Sequence, residues 1–190
     1  MGAIDQPLLL RRHRITADEY HRLGDAGVLA PDARVELIDG EVIDMAPIGS
    51  RHWSVVSRLH RLVERAVGDR AVISEASLRL GSHSEPQPDL ALFKPRDDFY
   101  AAALPAAADT LLVIEVADSS ARYDREIKLP LYARHGIGEL WIVDLEANLV
   151  RMYREPAGDG YLQATQTADP AIVGIAALPG VSVDLSGLLG

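Results

Sequence analysis

The alternation of apolar and polar positions along the chain predicts a series of short strands interrupted by three helices. RVELID and EVIDMA, on either side of Gly40, alternate with a period of two, and Asp39-Gly40 between them signals a two-residue hairpin turn. Residues 51–67 change to the helical period. At about 100° per residue, Val55, Val56, Leu59, Leu62, Val63, Ala66 and Val67 fall within one arc of about 140°, and Arg51, Arg58, Arg61 and Arg65 fall opposite it. His52 lies within the apolar arc, on the first turn. Runs at 71–80, 89–94, 110–117, 139–144 and 149–155 predict five further strands. Thr16 and Glu19 form a capping box that opens a short helix reaching Leu29. Another helix covers 121–135, capped by Ser119 or Ser120, disturbed by Pro130 and ended by Gly136. Residues 97–109 read as an alanine-rich surface connection, and 156–190 hold two short edge strands.

From residue 51 to 145 the order is helix, three strands, helix, strand. A helix that returns the chain to a further strand implies a mixed α/β sheet with a parallel crossover, covered by helices on both faces. The chain of 190 residues, 48% of them hydrophobic, is enough for a single domain with a real core. Its formal net charge of -9 argues against a protein that coats nucleic acid through a generally basic surface. A local basic groove, or an acidic site completed by a divalent cation, stays compatible with that charge. The absence of cysteine excludes disulfides, thiolate metal sites and cysteine nucleophiles. MGAIDQPLLLRRHRI places its basic residues after its only leucine run, the wrong order for a secretory signal, and no apolar run could span a bilayer. The expectation is a soluble, cytoplasmic protein with no membrane partner.

Two acids stand out against this background. In PDLALF, Asp89 follows Pro88 at the start of a strand. In LLVIEVADSS, Glu115 sits near the carboxyl end of a strand whose neighbours are all apolar. A carboxylate there must be paired, metal-bound or protonated, because a buried unpaired charge costs several kcal/mol. A structural ion pair with an arginine would satisfy Glu115 alone. If strands 89–94 and 110–117 are neighbours, however, both carboxylates meet, and a divalent cation is the usual resolution of their repulsion. Carboxylates without cysteine select a hard, oxygen-liganded ion, Mg²⁺ or Mn²⁺, able to polarise a phosphoryl oxygen. Period-two alternation places Leu111, Val113, Glu115 and Ala117 on one face. His52 reads either as a hydrogen-bonded core histidine or as an auxiliary group of such a site. The arginines of 51–65 and RRHR at 11–14 read either as solvated surface or as phosphate contacts. His83 and His135 lack a metal-ligand partner at useful spacing. No P-loop, dinucleotide fingerprint, nucleophile elbow or recognition helix is present.

A strand with PD, a spacer and E-x-K on the next strand is the signature of the PD-(D/E)xK nuclease superfamily. VELIDGEVIDMAP, the histidine of SRHWSVVSRL, QPDLALF, LLVIEVADSS, YDREIKLPLYARHGIGELWIVD and LPGVSVDL together resemble the Uma-two family of restriction-endonuclease-like proteins, over residues 16–186. The resemblance implies a restriction-endonuclease-like mixed β-sheet flanked by helices, with an extra N-terminal helix and β-hairpin. It implies metal-binding carboxylates at Asp89 and Glu115, a further acid at Glu36, and the backbone carbonyl of Val116 as another ligand. Ala117 stands where the lysine of E-x-K belongs. The family pattern moves that lysine to the following helix, here Lys128 of the Asp124-to-Lys128 run. An ordinary surface pair of Asp124 with Lys128 is the other reading of that spacing. Tyr132, one turn on, would support the lysine or simply pack. His52 would be auxiliary. The implied activity is metal-dependent endonucleolytic hydrolysis of DNA by a homodimer. The competing classes are a nuclease-like fold retained as a DNA- or protein-binding module, and a hydrolase of another phosphoester.

Overall fold

The computed structural model describes residues 12–189; Arg11 of the basic run and the stretch before it lie outside the described residues. Helix α1 (Ala17–Asp25) opens on the expected capping box, with Glu19 N–H donating to Thr16 Oγ1 at 3.2 Å and Thr16 N–H to Glu19 Oε2 at 2.7 Å. It stops short of Leu29, and Gly27, at φ +71°, turns the chain where an α-helix cannot continue. Strands β1 (Val35–Ile38) and β2 (Glu41–Asp44) form the hairpin. Asp39 and Gly40 have φ of 49° and 81°, the pair of left-handed residues that a type I′ turn requires. Glycine is needed at 40 for a second reason: a Cβ there would lie 2.5 Å from Cβ of Arg14.

Helix α2 (Ser50–Val67) leads to β3 (Val72–Ser74), β4 (Leu90–Phe93) and β5 (Thr110–Ala117). A helical crossover follows: α3 (Ala121–Tyr123), one π turn over Asp124–Lys128, then α4 (Leu129–Arg134). The remaining strands are β6 (Glu139–Asp144), β7 (Leu149–Ala157), β8 (Gly160–Thr167), β9 (Ile172–Gly174) and β10 (Ser182–Asp184). Six of them make one sheet in the order β3-β4-β5-β6-β7-β8, in which β5 and β6 run parallel and every other pair is antiparallel. This is the mixed sheet with a parallel crossover that the element order predicts. Pro130 does not break the helix. It has no N–H to give to the preceding turn, and that turn widens instead, with Leu129 N–H reaching back to Asp124 O.

The sheet is covered on both faces. Val55, Leu59, Val63 and Val67 of α2 pack on Leu90, Leu92, Ile114, Val116 and Trp141, joined by Val183 of the β9–β10 ribbon. On the opposite face Leu131 and Tyr132 of α4 pack on Val113, Ala117, Leu140 and Ile142. The helical arc therefore buries the side that its period assigns to the interior, and each fully buried aliphatic side chain contributes roughly 1.5–3 kcal/mol.

Three details differ from the sequence pattern. Only 72–74 of the run 71–80 is strand; Ala76 N–H bonds to Ser74 Oγ at 3.0 Å, and Leu78 and Leu80 then turn into the second core. Leu111 does not share a face with Glu115. A register shift pairs Leu92 with Leu112 and Phe93 with Thr110, and this bulge turns Leu111 toward the α2 core. Beyond residue 155 the chain forms not two short strands but β8, an eight-residue edge strand of the main sheet, and the separate β9–β10 pair. Among the described residues no helix is long and apolar enough to cross a membrane.

Candidate active site

The first strand pairs decide where the acids meet. Strand β4 begins at Leu90, paired with Ile114, so the last residues of β5 extend past it. Pro88 would stand opposite Val116 and has no N–H to continue the ladder. Asp89 fills the vacant position with its side chain: Val116 N–H donates to Asp89 Oδ2 at 2.7 Å, as it would to a strand carbonyl. Because a β residue's N–H and C=O point to the same edge, the carbonyl of Val116 faces the same gap. Asp89 N–H in turn donates to Glu115 Oε2 at 3.4 Å. The two carboxylates thus meet at the end of a strand pair, as the neighbouring-strand argument anticipates.

Glu115 is 2% exposed and is held from behind by the crossover helix. Lys128 Nζ donates to its Oε1 at 3.1 Å and Tyr132 O–H to the same atom at 2.6 Å. Tyr132 therefore acts on the glutamate rather than on the lysine. Lys128 also lies 3.3 Å from Glu36 Oε2 and donates to the carbonyl of Gln87 at 3.3 Å. The ordinary surface pair of Asp124 with Lys128 is not what forms, since both side chains are buried and the π turn carries both toward the acids. The amine reaches Glu115 from the crossover helix, its long stem spanning from helix to strand.

Glu36, on β1, is placed by the hairpin. Tyr123 O–H donates to its Oε1 at 2.9 Å and Gln87 N–H to its Oε2 at 3.1 Å. His52 sits at the start of α2, not in the apolar core: its Nε2 is 3.1 Å from Asp89 Oδ1, and its buried Nδ1 has no partner among the described residues. Asp124 accepts from Ser120 O–H at 2.7 Å. The sequence pattern does not single out Tyr123, Gln87 or the burial of Asp124. Gln87 acts through its main chain, which leaves no residue-type signal, whereas Tyr123 adjoins Asp124 in a run already singled out.

These groups line a pocket of about 290 Å³, whose wall also includes Arg34 and Asp118. Its electrostatics are strongly uneven. Burial raises the Glu115 carboxyl above the usual carboxylate range, and the Lys128 ammonium 3.1 Å away pulls it back toward the ionised form. Burial likewise raises Asp124 to about 6. Burial would lower the Lys128 pKa, but Glu115, Glu36, Asp124 and Asp89 together outweigh it and hold the ammonium protonated. The hydrogen bond to Asp89 raises the His52 imidazole above its usual value, opposed by burial. Four carboxylates, Glu36, Asp89, Glu115 and Asp124, thus surround one ammonium.

Among the described residues no three histidine or acidic side chains already stand in metal-holding geometry. The donor chemistry nevertheless fits a hard cation. Asp89, Glu115 and the Val116 carbonyl offer oxygen only, and Glu115 Oε2 has a single long contact. A cation there would favour the ionised Glu115 by its charge, offsetting the burial that raises the carboxyl.

A family model described as "Uma2: Putative restriction endonuclease" matches residues 17–186. No curated protein matches the chain significantly. Among solved structures, "a putative nuclease belonging to DUF820" from Anabaena variabilis ATCC 29413 is similar in fold, with a TM-score of 0.73 at 21% identity. The match covers 92% of this chain and 97% of that one.

Proposed function

The chain belongs to the Uma2 restriction-endonuclease-like family, and on that premise we propose that it is a Mg²⁺- or Mn²⁺-dependent endonuclease hydrolysing DNA phosphodiester bonds in the cytoplasm. The observation that carries the reading is the delivery of Lys128 Nζ to within 3.1 Å of Glu115, where the strand itself offers only Ala117. Asp89, Glu115 and the Val116 carbonyl would hold the ion. When bound, it supplies Lewis-acid polarisation of the phosphoryl oxygen and acidifies water.

The chain's own groups do the rest. Lys128 is fixed by two carboxylates and a carbonyl, so its charge is preorganised toward the pocket and can stabilise the anionic phosphoryl group. Glu36 sets the position of that ammonium from the other side, and Tyr123 sets Glu36. His52 orients Asp89 and can pass a proton at Nε2. A homodimer, as the family resemblance implies, would carry two such sites.

A second reading rests on a specific feature of the same geometry. The Lys128 ammonium already bridges Glu36 and Glu115, as a site kept only for stability would have it, in a non-catalytic binding module. Incubation with supercoiled plasmid, linear duplex and single-stranded DNA under Mg²⁺, Mn²⁺ or EDTA separates the two. Metal-dependent cleavage abolished by both Asp89→Ala and Glu115→Ala supports the enzyme. Cleavage that survives both substitutions overturns the site, and a wild-type protein that neither cuts nor binds metal favours the module.

A further inference from the structure

The outer face of α2 carries a surface that the buried acids leave unused. Trp53, next in sequence to His52, is 65% exposed, whereas Trp141 is fully buried. Trp53, Ser57 and Arg61 follow at four-residue steps, so they lie along one line of the helix over about 12 Å. Arg58 and Leu62 lie on the adjacent line. Among the described residues, the one arginine of this helix with a carboxylate partner is Arg51, 4.0 Å from Asp118. Glu64 is the only acid of α2. A cationic, aromatic strip on a chain of net charge -9 selects for an anionic occupant.

The strip is also connected to the site. A small trough of about 100 Å³, lined by Trp53, Ser57 and Glu75, shares Arg34, His52 and Asp89 with the acid pocket. A further trough of about 430 Å³ continues from Trp53 and Ser57 to Arg58 and Arg61, walled by Leu62 and Leu188. We propose that these adjoining troughs form a track for single-stranded DNA, which stacks a base on Trp53, lays its phosphates on Arg58 and Arg61, and presents the next phosphate to the acids. The assignment of the strand as a substrate rests on the nuclease reading. The track itself rests on Trp53.

The physical argument favours an unpaired strand over a duplex. Base faces in a duplex are covered by their neighbours, so an exposed indole can stack only on a base that has left its helix or never had one. The acid pocket, about 290 Å³, is the size of a small-ligand cavity, and Glu115 lies at its floor rather than on an open surface.

Binding of fluorescently labelled oligonucleotides, measured by anisotropy in EDTA, tests this without requiring cleavage. A single strand is expected to bind tighter than a blunt duplex of equal length. Trp53→Ala should weaken the single strand by about 5- to 150-fold, the range for loss of one stacked base, and change duplex binding little. Arg58→Ala combined with Arg61→Ala should reduce the slope of log affinity against log salt by about 1.4. Both changes are on exposed side chains, and a thermal melt checks that each variant folds. Equal or tighter duplex binding, or a Trp53→Ala protein with unchanged single-strand affinity, overturns the proposal. So does a wild-type dimer that Trp53→Ala dissociates without altering strand affinity, since the strip would then be covered by a second copy. If strand binding depends on Trp53 yet no metal supports cleavage, the track stands and the nuclease reading fails.

Discussion

Lys128 and Glu115 come from different elements, thirteen residues apart in sequence, and their charged atoms lie 3.1 Å apart inside the protein. Neither could be buried alone without a large desolvation cost. Lys128→Met removes the cation and leaves Glu36 and Glu115 facing each other. The expected loss is about 3–5 kcal/mol of stability, measured by urea unfolding, together with loss of any cleavage. Adding Glu115→Gln should recover part of that stability, because the change removes one of the stranded charges. A double variant less stable than Lys128→Met alone would argue that the pair is not the unit described.

Ion binding gives a readout separate from catalysis. Mn²⁺ titrated into the wild-type protein should raise its melting temperature, by the equivalent of about 2.7 kcal/mol at a hundredfold excess over Kd. Asp89→Asn and Glu115→Gln should each abolish the rise. Persistence of the shift in Asp89→Asn would locate the ion elsewhere.

Tyr132 stands behind Glu115, outside the pocket, and burial raises its hydroxyl pKa well above the usual value, so that it remains a donor. Tyr132→Phe deletes only the 2.6 Å hydrogen bond to Oε1. The expected cost is about 1.5–3 kcal/mol in denaturant unfolding, typical of a bond to a charged acceptor. An unchanged midpoint would mean that Lys128 alone satisfies that oxygen.

Asp144, on β6, tests the electrostatics of the sheet away from the acids. Burial opposes its ionisation, but the Ala147 N–H and Arg151, 2.6 Å away, outweigh burial and lower its pKa. A carboxyl whose folded pKa is depressed contributes stability that is present above its unfolded value, near pH 4, and lost as pH falls through the folded value. Asp144→Asn should therefore be less stable than wild type at neutral pH, with the gap closing below about pH 4. A gap that stays constant down to pH 2 would show that packing, not charge, is lost.

The sequence made the frame of this site readable because its signals are local. The Asp39-Gly40 turn needs two left-handed residues, and the apolar arc of α2 needs only its own period. Asp89 and Glu115 were conspicuous because acids are expensive among apolar neighbours. What stayed hidden depends on contacts between distant segments. Gln87 contributes through its peptide groups, which every residue type shares. The bulge that turns Leu111 away from Glu115 arises from the pairing of two strands, and neither strand announces it alone. Strand β8 escaped notice because its edge position leaves most of its side chains polar and exposed, without an apolar face to mark it.

The widened turn at Asp124–Lys128 makes the site sensitive to chain length as well as to residue type. A turn closed by bonds five residues apart holds one residue more than an α turn over the same rise. Deleting a single residue between Ala121 and Lys128 would let the segment close to regular α-helix with α4 left in place and Lys128 still in phase with Glu115, whereas a further insertion would rotate Lys128 about 100° around the axis, away from Glu115. Its chemistry would be retained in composition and lost in phase. A relative that matches every acid and the lysine, but carries one residue more in this spacing, would hold the same letters and a different site.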